Sequence, residues 1–213
     1  MLKDKDFIEI SYSGRIKETN HLFDTTDENV AKKENVFNQE FVYGPRIICL
    51  GEKQILPKID IFLIGKEIGK EYVLEINPEE AFGLKDKNLI KIVNTNDLKK
   101  QRINPFPGLQ LNASGITGTI RSVNGGRTTI DFNHPLAGKN LVYNIRVNKI
   151  ITEKKIQAEC VLGSFLGLKQ NEYELKIENK KIEVKLKKMI NEKIQAEFKE
   201  KVKKILPELE LSA

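Results

Sequence analysis

The chain has 213 residues, 39% of them hydrophobic and 31% charged, with two cysteines, two histidines and no tryptophan. That length exceeds one ordinary compact domain and allows two small ones or one with an insertion, and the composition is that of a folded chain, not a disordered one. The net charge of +6 is carried almost wholly by Lys intermixed with Glu, with only six Arg, which reads as solvated surface and argues against a nucleic-acid partner. No run approaches the ~20 apolar residues that span a bilayer. The start Met1-Leu2-Lys3-Asp4-Lys5-Asp6 is too acidic for a signal peptide, so the expectation is a cytoplasmic protein with no membrane partner. Cys49 and Cys160 lie far apart without a Cys-x-x-Cys pair and read as buried thiols, while His21 and His134 have no partners at ligand spacing. Neither a metal nor a cofactor is expected.

Alternation from Phe7 to Tyr12 predicts a half-buried strand that Ser13-Gly14 ends or bends. Residues 26–39 read as a long loop with one helical turn, followed by strand-like runs at Phe41–Tyr43 and Ile47–Leu50. Ile55, Leu56, Ile59, Leu63 and Ile64 recur at helical spacing, with Pro57 tolerable only in the first turn and Gly65 where a helix C-cap belongs. Tyr72–Ile76 alternates again and ends at Asn77-Pro78. Residues 86–131 form a second unit, with strands predicted at Leu89–Val93, Leu109–Leu111, Gly115–Val123 and Arg127–Phe132 and a hairpin signal at Asn124-Gly125. Leu141–Ile151 reads as a central strand returning to the first unit, which makes the second an insertion. A third unit begins near Lys155, with strands around Ile156–Leu162, Glu172–Ile177 and Ile182–Leu186, and a turn at Asn179-Lys180. A helix follows, in which Leu186, Ile190, Ile194, Phe198, Val202 and Leu206 recur every four residues beside Met189 and Ile205.

Several chemistries are excluded by their missing motifs. Gly65-Lys66-Glu67-Ile68-Gly69-Lys70 has the wrong spacing for a phosphate loop and Glu71 where Ser or Thr belongs, and no Gly-x-Ser-x-Gly is present. The same glycine turn followed by Ile76-Asn77-Pro78-Glu79-Glu80-Ala81-Phe82-Gly83 resembles the signature of the FKBP-type peptidyl-prolyl isomerases. Tyr12-Ser13-Gly14 with Leu22-Phe23-Asp24 upstream, and Asn133-His134-Pro135-Leu136-Ala137-Gly138-Lys139 downstream, match in the order the family requires. The last motif is typical of the SlyD-like branch, where it marks the return from an inserted chaperone domain.

The resemblance covers about residues 3–153. It implies an α+β protein: an antiparallel sheet wrapped on a short helix (1–85 and 132–153), a small β-rich insertion (86–131) and a C-terminal α+β extension (154–213). It implies acceleration of X-Pro bond rotation in unfolded polypeptides, with Tyr12, Asp24, Leu56, Phe82 and Tyr143 catalytic and Phe23, Phe41, Ile55 and Ile59 binding substrate. Ile59 stands where the best-known members have a Trp floor and Phe82 where many have Tyr. Asp24 either orients Tyr12 or polarises the surroundings of the twisting carbonyl, or else it satisfies turn amides. Ile103, Phe106, Leu109, Leu111, Ile116, Ile120 and Val123 are many apolar residues for so small an insertion; they form either a chaperone surface or its modest core. The C-terminal stripe is available to pack internally or against a second copy, with the lean towards a homodimer. The competing function is an FKBP-fold binding module with a weak or dead pocket.

Overall fold

The structure is a computed structural model that describes residues 1–113, 115–178, 181–187 and 191–212. The chain divides into two compact units, residues 1–76 with 142–213, and residues 77–141. Before the second unit come β1 (Phe7–Ile16), β2 (Leu22–Thr25), α1 (Glu28–Lys33), β3 (Arg46–Cys49), α2 (Pro57–Leu63) and β4 (Glu71–Ile76). The second unit holds β5 (Ile90–Asn94), α3 (Thr95–Lys100), β6 (Gln110–Ala113), β7 (Ile116–Asn124) and β8 (Arg127–Asp131). Then follow β9 (Leu141–Ile150), α4 (Lys154–Leu166), β10 (Tyr173–Glu178), β11 (Lys181–Leu186), α5 (Glu192–Ile205) and β12 (Glu210–Ser212).

The fold class is α+β, as the residue pattern and the family resemblance imply. In the first unit the strand order is β2-β1-β9-β4, with β3 antiparallel to β1. β1 is the backbone of this sheet because its apolar, β-branched residues alternate, which sends Ile8, Ile10 and Tyr12 into the core. α2 starts at Pro57, whose ring presets the first turn, and it buries Ile59 and Leu63. It stops at Ile64, followed by Gly65 at φ +80°, a left-handed position that glycine takes without strain.

Residues 154–213 share the first unit. Ala158, Val161 and Leu162 of α4 and Phe198, Val202 and Ile205 of α5 form one core cluster with Phe7, Cys49 and Ile151. The expected strand at Ile156–Leu162 is a helix instead. α4 touches β3, β10 and α5, so it is buried on more than one side and the periodicity that marks a surface helix is missing. The expected strand at Phe41–Tyr43 is irregular backbone. Leu186 of the apolar stripe belongs to β11, Ile194 is exposed, and the buried remainder packs within the chain. Met189, Ile190 and the turn at Asn179-Lys180 lie outside the described residues. On the solvated side of the β10–β11 hairpin, opposite charges face each other rung by rung: Glu174 with Lys185, Lys176 with Glu183, Glu178 with Lys181.

The second unit is a four-stranded sheet of order β5-β8-β7-β6. Its two chain ends are clipped together by Asp131 and Asn133. Asp131 Oδ1 accepts from the Asn133 backbone N–H (2.9 Å) and Nδ2 (2.8 Å), and Oδ2 accepts from Arg121 Nε (3.1 Å) and Lys85 Nζ (3.3 Å). Asn133 in turn accepts from the Asp86 N–H at 2.8 Å and donates to the Asp86 carbonyl at 3.0 Å. Burial alone would raise the Asp131 pKa, but the hydrogen bonds from Asn133, Arg121 and Lys85 outweigh it and hold the carboxyl down to about 2. Because the folded value lies below the unfolded one, the clip contributes fully above the unfolded carboxyl value and is lost as pH falls towards about 2. Asp131→Asn is therefore expected to cost the second unit about 2 kcal/mol at neutral pH, and the gap to the parent should close as pH falls from about 4 to about 2. Amide hydrogen exchange of residues 87–130 measures both; a gap that does not change with pH would contradict the role given to the ionised carboxyl.

Candidate active site

β1 and β2 run antiparallel, with Gly14 opposite Asp24, and their register shifts between Gly14 and Arg15. Gly14 is required there by packing. A Cβ at this position would stand 2.8 Å from Phe23 Cζ and 2.9 Å from Tyr143 Cε1. The bare backbone of β1 is thus the surface on which both rings rest. Phe23 meets Tyr143 edge-on, with centroids 5.7 Å apart and planes at 83°, and Tyr12 lies 5.9 Å from Tyr143 at 54°. Tilted and edge-on contacts of this kind suit the ring quadrupoles.

The polar side of the cluster is a short chain of hydrogen bonds. Arg46 Nη1 donates to the Tyr12 hydroxyl at 2.9 Å, and the Asp24 carboxyl lies near enough to that hydroxyl for each to shift the other's pKa. The Tyr12 N–H donates to Thr26 Oγ1 (2.9 Å), and the Thr26 N–H to the Tyr12 carbonyl (3.0 Å), fixing the end of β2 to β1. Burial, then the negative charge of Asp24, push the Tyr12 pKa up to about 12 against the pull of Arg46. Burial likewise raises Tyr143, with Asp24 and Tyr12 adding to it, so both phenols stay protonated near neutrality. Burial raises Asp24 as well, opposed by the Tyr12 hydroxyl and the charge of Arg46.

At the start of α2, Ile55 and Leu56 are half-buried and Ile59 is fully buried. The N–H of Leu56 has no acceptor among the described residues, as befits a helix N-terminus. The segment before it is set by Asp60, a buried carboxylate whose oxygens accept from the Gly51 and Lys53 N–H groups, each at 3.0 Å. Gly51 at φ +84° and Lys53 at φ +55° make the tight turn that this bridging requires.

The structure thus brings together Tyr12, Phe23, Asp24 and Tyr143 and places Ile55, Leu56 and Ile59 at the start of α2. Phe41 is 64% exposed in irregular backbone. Phe82 belongs to the second unit, where it stacks flat on His134 with centroids 4.2 Å apart. The His134 Nδ1 accepts from the Leu136 N–H at 3.2 Å, so its ring is held at the angle the stack needs. Two residues of the site were not singled out in the sequence. Arg46 opens β3, paired with Ile10, and is exposed; Asp60 is a buried carboxylate next to the buried Ile59. A charge inside an apolar helical stripe is the signal that could have found Asp60; an exposed Arg46 offered none. In the insertion, Phe106 is 56% exposed and Ile116 59%, while Ile103, Leu109, Leu111 and Val123 are half-buried. Ile120, expected on the chaperone surface, is instead 1% exposed and pairs with Ile130 in the insertion's core.

The model of the FKBP26 IF domain matches residues 91–136. The short-type peptidyl-prolyl cis-trans isomerase of Methanocaldococcus jannaschii is 31% identical over 150 residues, 70% of this chain and 94% of that protein. The FKBP-type 16 kDa peptidyl-prolyl cis-trans isomerase of Escherichia coli is 28% identical over 110 residues, 50% of this chain and 74% of its own. The SlyD isomerase of Helicobacter pylori is 24% identical over 145 residues, 66% of this chain and 70% of its own. The chain belongs to the FKBP-type peptidyl-prolyl cis-trans isomerase family. Within it, the SlyD relatives and the match over residues 91–136 put it on the SlyD-like branch.

The contact of Gly14 with both rings generates a direct test. Gly14→Ala is expected to lower stability by about 1–3 kcal/mol and to weaken the near-ultraviolet tyrosine signal, because Phe23 and Tyr143 must shift to admit a methyl group. An unchanged thermal midpoint and spectrum would show that the rings have room to spare.

Proposed function

We infer that this chain accelerates cis/trans rotation of X-Pro bonds in unfolded or folding polypeptides, and that its insertion holds such polypeptides as a chaperone. The observation that carries the reading is the ring cluster of Tyr12, Phe23 and Tyr143 on Gly14, in a chain of this family. Rotation about an X-Pro bond breaks amide resonance against a barrier of ~20 kcal/mol. At the twisted transition state the amide loses C–N double-bond character and much of its dipole, so a dry aromatic slot tolerates it better than the planar ground state. Lowering the barrier by about 5 kcal/mol gives roughly four decades of rate without nucleophile, metal or proton shuttle. In this scheme Ile55, Leu56, Ile59 and Tyr143 line the proline slot. The acceptor-free N–H of Leu56 holds a substrate carbonyl. The Arg46–Tyr12–Asp24 chain keeps the slot's polar side fixed.

The chaperone reading is supported by the exposure of Phe106 and Ile116 in a small unit whose core is made by Ile120, Ile130 and Leu98. A second reading, a binding module with weak isomerase activity, is favoured by one observation: Ile59, expected as the slot floor, is fully buried. A cytoplasmic location accords with the fact that no described helix is long and apolar enough to cross a membrane. A homodimer through the C-terminal extension loses its original motive, since Phe198, Val202 and Ile205 pack within the chain.

Replacing residues 86–131 with a short flap is expected to keep tetrapeptide isomerisation within about one decade, ~1.4 kcal/mol. The same change should cost far more on proline-limited refolding of a protein and remove protection from aggregation. Parallel losses on peptide and protein would mean that the insertion only supports the slot.

A further inference from the structure

The positive charge of this protein is not spread over its surface. The insertion, residues 86–131, holds Lys87, Lys91, Lys99, Lys100, Arg102, Arg121 and Arg127 against Asp86, Asp97 and Asp131, a surplus of four out of the +6 of the whole chain. The rest of the chain carries the other +2 and is close to balanced, as the paired rungs of β10 and β11 illustrate. Arg121 is engaged by Asp131 and Lys100 by Asp97; Lys87, Lys91, Lys99, Arg102 and Arg127 are exposed and make no salt bridge among the described residues.

One of these cations, Arg127, sits on the same sheet face as exposed apolar residues. α3 lies against the sheet face that carries Thr128 and Ile130, since Thr95 Oγ1 meets Thr128 Oγ1 at 3.0 Å. The opposite face takes the alternate residues of β5 and β8, paired as Ile90 with Asp131, Ile92 with Thr129 and Asn94 with Arg127. Ile92, 66% exposed, and Ile90 thus form an uncovered apolar pair with Arg127 one rung beyond one end and the Asp131-bound Arg121 at the other. A nucleic-acid surface would interleave its cations with stacking aromatics, and here the exposed apolar residues are aliphatic apart from Phe106.

We propose that the insertion selects unfolded polypeptides by charge, binding segments in which apolar residues alternate with Asp or Glu. This rests on the chaperone reading of the insertion. Apolar side chains of the client cover Ile90 and Ile92, and its carboxylates meet the guanidinium of Arg127 within the positive field of the insertion, which strengthens attraction and rejects basic segments.

Two labelled unstructured peptides with the same apolar residues, one spaced by Glu and one by Lys, are titrated with the full chain by fluorescence anisotropy. The Glu peptide is expected to bind about tenfold more tightly at low salt, with the preference shrinking as salt rises. The variant Arg127→Glu is expected to remove most of the preference for the Glu peptide while keeping the parent's far-ultraviolet circular dichroism. Equal affinity for both peptides overturns the proposal but leaves the chaperone reading standing. Binding of neither, with no protection from aggregation, overturns the chaperone reading itself. Tighter binding of a single-stranded RNA oligonucleotide than of the Glu peptide would also overturn it, by assigning the face to nucleic acid.

Discussion

The structure of the first unit depends on one strand that arrives late in the chain and lies in the middle of its sheet. β9 lies between β1 and β4, so the sheet cannot be completed until residues 77–141 have been made and the chain has returned. Such a long-range closure is slow to form, and a return segment folded on its own shortens the chain that must be searched. β9 also places the site. It delivers Tyr143 onto Gly14, Asn148 Nδ2 donates to Ser11 Oγ at 3.0 Å, and just past its end the Ile151 N–H donates to the Phe7 carbonyl at 2.7 Å.

From Ile151 the chain runs into α4, and the C-terminal extension becomes part of the isomerase unit's core. Glu52, almost fully buried, is bridged by Lys5 from the N-terminal segment and Lys201 from α5. Burial works against ionising it, and the two ammonium groups more than offset that and keep its pKa below the usual value. Gln54 accepts from the Cys49 N–H at 2.7 Å and donates to Ser164 Oγ of α4 at 2.7 Å. The segment that leads into Ile55 and Leu56 is therefore held from three sides: by Asp60 of α2, by β3 and by α4. Removing one partner of a buried ion pair leaves an uncompensated charge, so the extension fixes the loop before α2 more firmly than its surface position in the sequence suggests.

Much of the first unit was legible because its elements are one-sided. β1 alternates, and α2 has a stripe with Pro57 at its start and Gly65 after its end; in the second unit the hairpin from β7 to β8 turns at Gly125-Gly126, both at positive φ, one residue past the Asn124-Gly125 signal. α4 was misread because burial on several sides leaves no polar face to set a period. α3 was missed because it is one short turn-and-a-half of polar residues whose only local mark is Asn94 capping the Asn96 N–H. The site residues recovered from the family motifs, Tyr12, Phe23, Asp24 and Tyr143, do converge. Arg46 and Asp60 are lone charges between apolar neighbours and carry no motif, and the charge surplus of the insertion is diluted in the composition of the whole chain.

The central claim is that the site works by enclosing a twisting amide and not by moving protons. With Tyr12 pushed up to about 12 and Tyr143 raised further, neither phenol is placed to exchange a proton near neutrality. The most direct test is kcat/KM on a short proline peptide from about pH 6 to about pH 9, in water and in deuterium oxide. The account predicts a flat profile and no appreciable solvent isotope effect; a bell-shaped profile with a rate that falls several-fold in deuterium oxide would contradict it.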